Sequence, residues 1–368
     1  MILRNGSYSS NPVGNNTIRR NYINWRNYPN SSNGSTCLGT YPSQGNVFEN
    51  NITEGANGCD TSFTPLLVGG ANSSGNSFYG NISIGHNISF QTGVGSSGGP
   101  TTSDDVTFEN NIAISSEATH SPAGGYGRRI THRNYSAFAD SAIRTDAFVE
   151  GFEVGYDSRM LRIADPSAEC TNCLLYGAWP AGFYIDTNEV PNFKLDFPAV
   201  YNVGTPFSPD ASDPRITNEI ALTSAELGSC KAYIPDSATS LKGKGKNGAD
   251  IGANILYVYE NGVLTNKPLW NPQTGEFPHG AIVPRLNDIP GQSLFNIHQR
   301  LNVNTNGCPF PQGYGGSWPP GEAVAEGGPA GTVAFHILDS SQAVPTGFGA
   351  SYNVLSSAQE LLLKANCT

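Results

Sequence analysis

The sequence predicts an all-β chain wound as a solenoid of short parallel strands, followed by an irregular proline-rich region and one short C-terminal helix. Three observations carry that expectation. An apolar-x-x-Asn-apolar pattern recurs at residues 18–22, 48–52, 78–82 and 108–112, each copy starting 30 residues after the last, with Asn21, Asn51, Asn81 and Asn111 at its fourth position. Glycine (43) and proline (25) are abundant among the 368 residues, which removes long helices as the main material because these are the two poorest helix formers. The text between copies, such as TSDDVTFENNIAISS, alternates over short runs and breaks at Gly, Asn and Ser. Helical repeats of similar period need leucine- or alanine-rich segments, and none is present here.

In chain order, Leu3-Arg4-Asn5 is a partial copy, and the four regular copies follow. Further copies are expected at Thr131-His-Arg-Asn134-Tyr135, at Phe148-Val-Glu-Gly151-Phe152 and at Thr171-Asn172-Cys173-Leu174, at shorter and less even spacing. Each copy marks one coil, about seven in all, holding two or three short strands. Stacked coils pair in parallel at about 4.8 Å. Asparagine at a fixed place suits a tight corner, because it tolerates the left-handed backbone conformation. Its side chains can also hydrogen-bond along the stack. The aromatic residue two or three positions earlier is expected to point into the coil and stack on its neighbours.

The segments NNTIRRNYI, GNVFENNIT and DDVTFENNIAI resemble coils of the right-handed parallel β-helix superfamily, the pectate-lyase-like fold, over roughly residues 1–190. The resemblance implies the fold more strongly than any activity. Such folds are widely used on polysaccharides, whose length suits a groove along the flank, but that inference is by analogy.

Composition changes near residue 165. Six prolines lie in residues 1–164 and nineteen in 165–368, while all seven lysines lie at or beyond Lys194. Proline deletes a strand-pairing donor, so the last coils are expected near 165–190. The expected division is residues 1–190 as coils, 191–320 as an irregular Pro/Gly-rich region packing along or over the end of the coils, and 321–368 as a strand plus a short helix. Residues 248–270 and 300–311 resemble the C-terminal tail of secreted bacterial β-helix repeat proteins of unassigned function, over about residues 229–315; this implies an extracellular bacterial protein. Residues 255–259 read as a strand, Asn261-Gly262 as a turn and 263–265 as the returning strand. Cys230 and Cys308 bracket this stretch and are expected to form a disulfide. Residues 321–331 read as a linker, 332–338 as a strand and 356–365 as a helix whose Leu361, Leu362 and Leu363 need a surface to cover them.

Charged residues are 14% of the chain, net charge is −10, and the sequence pI is near 5.0, which argues against a general nucleic-acid binder. An aromatic content of 10% argues against disorder. No apolar run of about 18 residues exists, so no membrane span is expected. The seven cysteines are an odd number, leaving at least one thiol outside internal pairs. Zinc needs four clustered ligands, and only Cys170 and Cys173 are close in sequence, so disulfides or buried thiols are expected instead. Few lysines, many Asn, Ser and Thr, and scattered cysteines suggest an extracellular or cell-surface protein. The opening MILRNGSYSS lacks the apolar core of a signal peptide, so either a leader has been removed or the chain is part of a longer one.

Two chemistries are weighed. A polysaccharide lyase neutralises an acidic sugar and abstracts a proton. Arg129, Arg133 and Arg144, with His132, are the candidate catalytic residues, and no lysine precedes Lys194, so the base would be an arginine. Alternation sets Arg129, Thr131 and Arg133 on one face and Arg128, Ile130 and His132 on the other. Asp140, Asp146 and Glu150 are the candidate calcium ligands, calcium being the only cofactor suggested. The plainer reading is a solvated coil face with local ion pairs. Trp25, Tyr79 and Trp179 are the candidate sugar-stacking residues, against a core role for each. Gly85-His86 and Asp104-Asp105 resemble polygalacturonase motifs, but in reversed order and without the remaining motifs, so a paired-carboxylate hydrolase is not supported. Lys242-Gly-Lys-Gly-Lys246 lacks the strand–turn–helix context of a phosphate loop and reads as a flexible exposed loop. Ten Asn-x-Ser/Thr sequons matter only if the source glycosylates asparagine. Asn21, Asn51, Asn81, Asn111, Asn134, Cys230 and Cys308 are the expected structural residues. The expected function is an extracellular protein that binds or processes polysaccharide. The alternative is a non-catalytic surface protein assembling head-to-tail into filaments, through an open edge near residues 2–5 and a donor element at 332–338 or 361–363.

Overall fold

The computed structural model describes residues 2–4, 13–24, 38–41, 43–54, 66–68, 73–85, 88–92, 102–114, 118–120, 126–140, 150–154, 169–185, 193–208, 210–273, 275, 298 and 301–315. Among them the chain is all-β: helical conformation is confined to a three-residue 3-10 turn at Lys246–Gly248 and to His298. The expected helix at 356–365, the strand at 332–338 and the linker at 321–331 lie outside the described residues.

Short strands stack in long parallel sheets, as a β-helix solenoid requires. A rung opens with a short strand, turns a corner into a second, turns again into a third, and reaches a fourth. The third rung is Ser73–Ser74, Ser77–Tyr79, Ile82–Ile84 and Ile88–Thr92. Like strands of successive rungs pair in parallel: Val47, Ser77 and Thr107 are in register, as are Ile52, Ile82 and Ile112. We call the second position the middle column, eight strands from Thr17–Arg19 to Ile216–Thr217. The third is the isoleucine column. The third and fourth columns merge into one 14-stranded sheet where Leu174–Ile185 runs unbroken through both.

The parallel pairing continues past residue 190, through Lys194–Asp196 and Ala199–Ser208 to Ile216–Thr217 and Ile220–Leu222. Proline was expected to stop the coils, yet Pro198 sits inside them. It follows a corner, where its carbonyl accepts the Ile220 N–H at 2.8 Å. The equivalent N–H in earlier rungs bonds an asparagine side chain rather than a strand, for example Asn51 N–H to Asn81 Oδ1 at 3.0 Å. A proline there removes no strand-pairing donor.

The left-handed corner residue is not the ladder asparagine but the residue before it. Positive φ falls on Arg20, Asn50, Gly80, Asn110, Asn134 and Asn172. Asn21, Asn51, Asn81 and Asn111 follow these corners and form the ladder. The Nδ2 of Asn21, Asn51 and Asn81 donates to the next Oδ1 at 2.9–3.0 Å, and the backbone N–H of each to the same oxygen at 2.9–3.1 Å. Asn51 makes all four bonds its amide allows, its second proton going to Ile18 O at 3.0 Å. Later copies are offset by one residue from expectation. Phe108 pairs in register with His132, so Asn134 is a left-handed corner and Tyr135 takes the ladder position. Residues 150–154 lie in the fourth column, paired with Ala118 and with residues 181–185, so the expected copy at 148–152 is not a corner.

Two cores flank the isoleucine column. Inside the coil, Phe48, Phe78, Phe108 and His132 stack with ring centroids 4.6, 4.8 and 4.6 Å apart. Outside it, Ile52, Ile82, Ile84, Ile112, Ile114 and Leu174 pack against Leu227, Tyr233, Ile255, Val258 and Trp270. The irregular region therefore lies along the flank of the solenoid, and the isoleucine column is buried on both faces, the small Thr53, Ser83 and Ala113 included. Within that region Tyr257–Glu260 pairs antiparallel with Val263–Pro268. Asn261 and Gly262 both have positive φ, as a two-residue hairpin turn of this hand requires. The expected Cys230–Cys308 disulfide forms, and so does Cys170–Cys173. Cys37, Cys59 and Cys367 lie outside the described residues.

Candidate functional site

The middle column presents its outer side chains away from the aromatic stack. Alternation sends Ile18, Phe48, Phe78, Phe108 and His132 inward and their neighbours outward. The outward positions are Thr17 and Arg19, Val47 and Glu49, Ser77 and Tyr79, Thr107 and Glu109, Thr131 and Arg133, then Glu169 and Thr171. The hydroxyl-bearing row of Thr17, Ser77, Thr107 and Thr131 is half-buried to exposed. Arg133 lies between carboxylates of the rungs on either side, 3.9 Å from Glu109 and 3.6 Å from Glu169. At the adjoining corner Arg129 grips Asp105 with two bonds, Nε to Oδ1 at 2.5 Å and Nη2 to Oδ2 at 2.7 Å. Both arginines are about half exposed, so each pair contributes little to stability, about 0–1 kcal/mol.

One edge of this face is closed by a strap, residues 246–262, which runs along the second corners from late rungs back to early ones. It binds side chains at the left-handed corners and on the strand residues beside them. Lys246 N–H donates to Asn172 Oδ1 at 2.8 Å, Ala253 N–H to Ser136 Oγ at 2.8 Å, and Asn254 N–H to Asn110 Oδ1 at 3.2 Å. Further on, Tyr259 N–H donates to Asn50 Oδ1 at 2.8 Å and Gly262 N–H to Glu49 Oε1 at 2.5 Å. The Tyr259 hydroxyl accepts from Asn110 Nδ2 at 2.7 Å and donates to Glu109 Oε1 at 3.2 Å. Burial pushes this hydroxyl far above the usual phenol range, and the Glu109 charge adds to the effect. Gly80 lies beneath the strap at φ +63, where a Cβ would stand 2.5 Å from Asn50 Nδ2 and 3.2 Å from the Tyr259 ring. Glycine is required there both for its backbone and for the close approach.

The structure separates the sequence-derived candidates. Arg129 and Arg133 share the open face but are ion-paired. His132 is buried inside the coil, stacked on Phe108 and turned away from that face. Tyr79 is half-buried with Tyr259 stacked on it at 5.1 Å, so its ring serves the strap. Trp179 is 1% exposed and belongs to the interior. Asp140 pairs with Lys231 at 2.8 Å. Glu150 lies in the fourth column, in Glu150–Val154. Arg144, Asp146 and Trp25 lie outside the described residues. Among the described residues no group of three His, Cys, Asp or Glu side chains is placed to hold a metal ion. The basic glycine run, read as a flexible loop, is tied down: Lys242 Nζ meets Asp250 at 3.0 Å, Gly243 N–H meets the same carboxylate at 2.8 Å, and Lys246 Nζ meets Asp196 at 3.2 Å.

Sequence reasoning missed a second ladder. Asn16, Asn46 and Asn76 bond in series at 3.0 and 3.1 Å. Their 30-residue spacing, five positions before the first ladder, was the available signal. It also missed the corner asparagines Asn50, Asn110 and Asn172 as docking points for the strap. No local pattern marks them, since their partners lie 74–209 residues away.

The chain matches no family model, no curated protein and no solved structure. Among the described residues no helix is long and apolar enough to cross a membrane.

Proposed function

We propose that the chain is an extracellular β-helix protein, of the right-handed pectate-lyase-like kind, that binds polysaccharide along the open face of its middle column without cleaving it. The observation that carries this reading is the contrast between two neighbouring faces. The isoleucine column is covered by the protein's own C-terminal region, while the middle column keeps a repeating row of hydroxyls beside Arg133, Glu109 and Glu169 in solvent. Hydroxyl, guanidinium and carboxylate groups at a regular rise suit the polar edges of a sugar chain. Cleavage is disfavoured because Arg129 is engaged by Asp105, and Arg133 lies between Glu109 and Glu169, so neither guanidinium is placed as a free base. His132 cannot replace them from inside the coil. An extracellular site agrees with two disulfides, which persist in oxidising compartments.

The test is calorimetric titration with pectate, alginate, chondroitin and heparin, with and without calcium, while near-ultraviolet absorbance follows any unsaturated product. Binding that weakens in Arg133→Ala and Thr107→Val, with no absorbance rise, is expected. Absorbance that rises and is lost in Arg133→Ala would make the protein a lyase. Absence of binding to all four would favour the rival reading, a structural protein of the cell surface.

A further inference from the structure

In the flanking region an amine and a carboxamide meet on one carboxylate oxygen. Asp250 Oδ2 accepts from Lys242 Nζ at 3.0 Å and from Asn254 Nδ2 at 2.8 Å. Its other oxygen, Oδ1, accepts the Gly243 N–H at 2.8 Å, which fixes the carboxylate in place. The carbonyl side of the same amide is also held, because Asn254 Oδ1 accepts the Ile234 N–H at 2.9 Å. The amide orientation follows from these partners, since a carboxylate needs a donor and an N–H needs an acceptor. Ile234 turns its carbonyl to Lys242 Nζ at 3.2 Å, so one residue touches both Lys242 and Asn254. The loop between them is pinned by Ile251 N–H to Leu241 O at 3.0 Å and by Gly245 N–H to Ala249 O at 2.7 Å. Buried Ile234, Leu241, Ile251 and Ala253 flank the cluster, and the side chains of Lys242 and Asp250 are only 31% and 15% exposed. A second carboxylate, Asp236, stands 3.7 Å from Lys242 Nζ and is half exposed, so Asp250 is the nearer partner.

We propose that Lys242 and Asn254 join in an intramolecular isopeptide bond, with Asp250 as the proton carrier. The Lys242 ammonium passes one proton to Asp250 Oδ2, and the resulting amine attacks Asn254 Cγ, forming a new N–C bond. The Ile234 N–H stabilises the oxyanion that develops on Oδ1. Asp250 hands its proton on to Nδ2, the Cγ–Nδ2 bond breaks, and ammonia leaves. The second proton shed by the new amide nitrogen goes to that ammonia as ammonium, and the carboxylate is restored. No oxidant or other reactant enters the balance. What drives the step is placement, with nucleophile, proton carrier and oxyanion donor all fixed by the fold around one amide. The bond closes a ring from residue 242 to residue 254 at the head of the strap. Within that ring Lys246, Ala253 and Asn254 bond Asn172, Ser136 and Asn110, which belong to three successive rungs. The cross-link therefore secures the strap where it is anchored, and it restricts the unfolded chain as other cross-links do. The inference is independent of the glycan reading.

The test is the intact mass of the full chain after disulfide reduction, followed by a proteolytic peptide map. The chain is expected to be lighter than its sequence by one ammonia, with a branched peptide that joins Lys242 to Asn254 and no tryptic cleavage after Lys242. Lys242→Arg keeps the cation but removes the amine nucleophile, and Asp250→Asn removes the proton carrier. Each variant is expected to regain the full sequence mass while its circular dichroism spectrum matches the parent. The full sequence mass in the parent chain overturns the proposal, and so does an ammonia loss that maps to a linear peptide, as a succinimide would; both readings stand whether or not the variants fold. A branched peptide that forms to the parental extent in Asp250→Asn overturns the role given to Asp250.

Discussion

From residue 13 to residue 114 the inner corners are closed by asparagine amides except at Val106; from residue 126 onward the same positions hold Ile130, Tyr135, Cys173 and Pro198. The spacing differs in step. Thr17, Val47, Ser77 and Thr107 are 30 residues apart, whereas the next registered steps, from Thr107 to Thr131, Glu169 and Lys194, are 24, 38 and 25 residues. An amide in a ladder is satisfied only by an identical amide above and below it, in register. An apolar corner needs burial alone and tolerates insertion or deletion in the loops that follow it. Regularity in this sequence is thus the mark of polar satisfaction, and where it ends the fold continues on packing.

The comparison breaks most sharply at the centre of the ladder. Asn81→Val would strand the two Asn51 donors in a buried site, at about 1–3 kcal/mol for each stranded group, and take one donor each from Phe48 O and from Asn111 Oδ1, which keeps the residue-81 N–H, so a total loss of about 3–5 kcal/mol is expected in urea unfolding. The cause is the lost ladder and not a lost corner conformation, since the corner at that rung belongs to Gly80. Removing the Cys230–Cys308 bond by paired serine substitutions opens a loop of 78 residues in sequence separation and is expected to cost about 4 kcal/mol. Hydrogen exchange should place that loss in residues 224–315 and leave the Phe48–Phe78–Phe108 stack protected.

Smaller effects sharpen the same contrast. Tyr259→Phe removes the hydroxyl between Asn110 and Glu109 and is expected to cost about 1–2 kcal/mol, with faster exchange along the strap. Asn21→Val, at an exposed asparagine, is expected to cost under about 1 kcal/mol, because Asn51 Oδ1 keeps the residue-21 N–H. The late rungs carry a pH response. Burial works to raise the Asp196 carboxyl, but hydrogen bonds from Asn218 and Thr217 and the Lys246 ammonium prevail and hold it below the ordinary range. A carboxyl depressed in the folded state stabilises above its unfolded value, about pH 4, and that contribution is lost as pH falls through the folded value. Asp196→Asn should therefore flatten the acid limb of a stability–pH curve below about pH 4 and leave the neutral region lower than the parent.

Much of the solenoid was legible because its signal is local and repeated. The recurring Asn-x-x-x-x-Asn rungs and the inward Phe48, Phe78 and Phe108 follow from a period anyone can count. The one-residue offsets arose where the doublets Asn50-Asn51 and Asn110-Asn111 put two different jobs on the same residue type. At Asn134-Tyr135 only one of those jobs survives, so alignment by asparagine chose the wrong partner. His132 was misjudged because a histidine reads as polar, while its register places it in the phenylalanine stack. The boundary near 190 failed because a proline count ignores which backbone N–H groups a corner leaves spare. The open face was only partly legible: alternation gave the side of Arg133 correctly, but the strap over Tyr79 depends on residues 180 positions away in the chain.

The reach of the strap also sets a timetable. Each rung closes against a neighbour some 21–38 residues away, so coils can add one after another as the chain emerges. The bonds from Asn254 to Asn110, Tyr259 to Asn50 and Gly262 to Glu49 span 144, 209 and 213 residues. Contacts that distant form late and slowly. Until residue 262 is made, the corner amides of Asn50 and Asn110 and the outer isoleucines stand in water, and the nascent solenoid exposes a long apolar flank that any chaperone would recognise. Maturation of this protein should therefore show two phases, a graded gain of parallel sheet and then a single late step in which the tail swings back along the coils and the flank disappears from solvent.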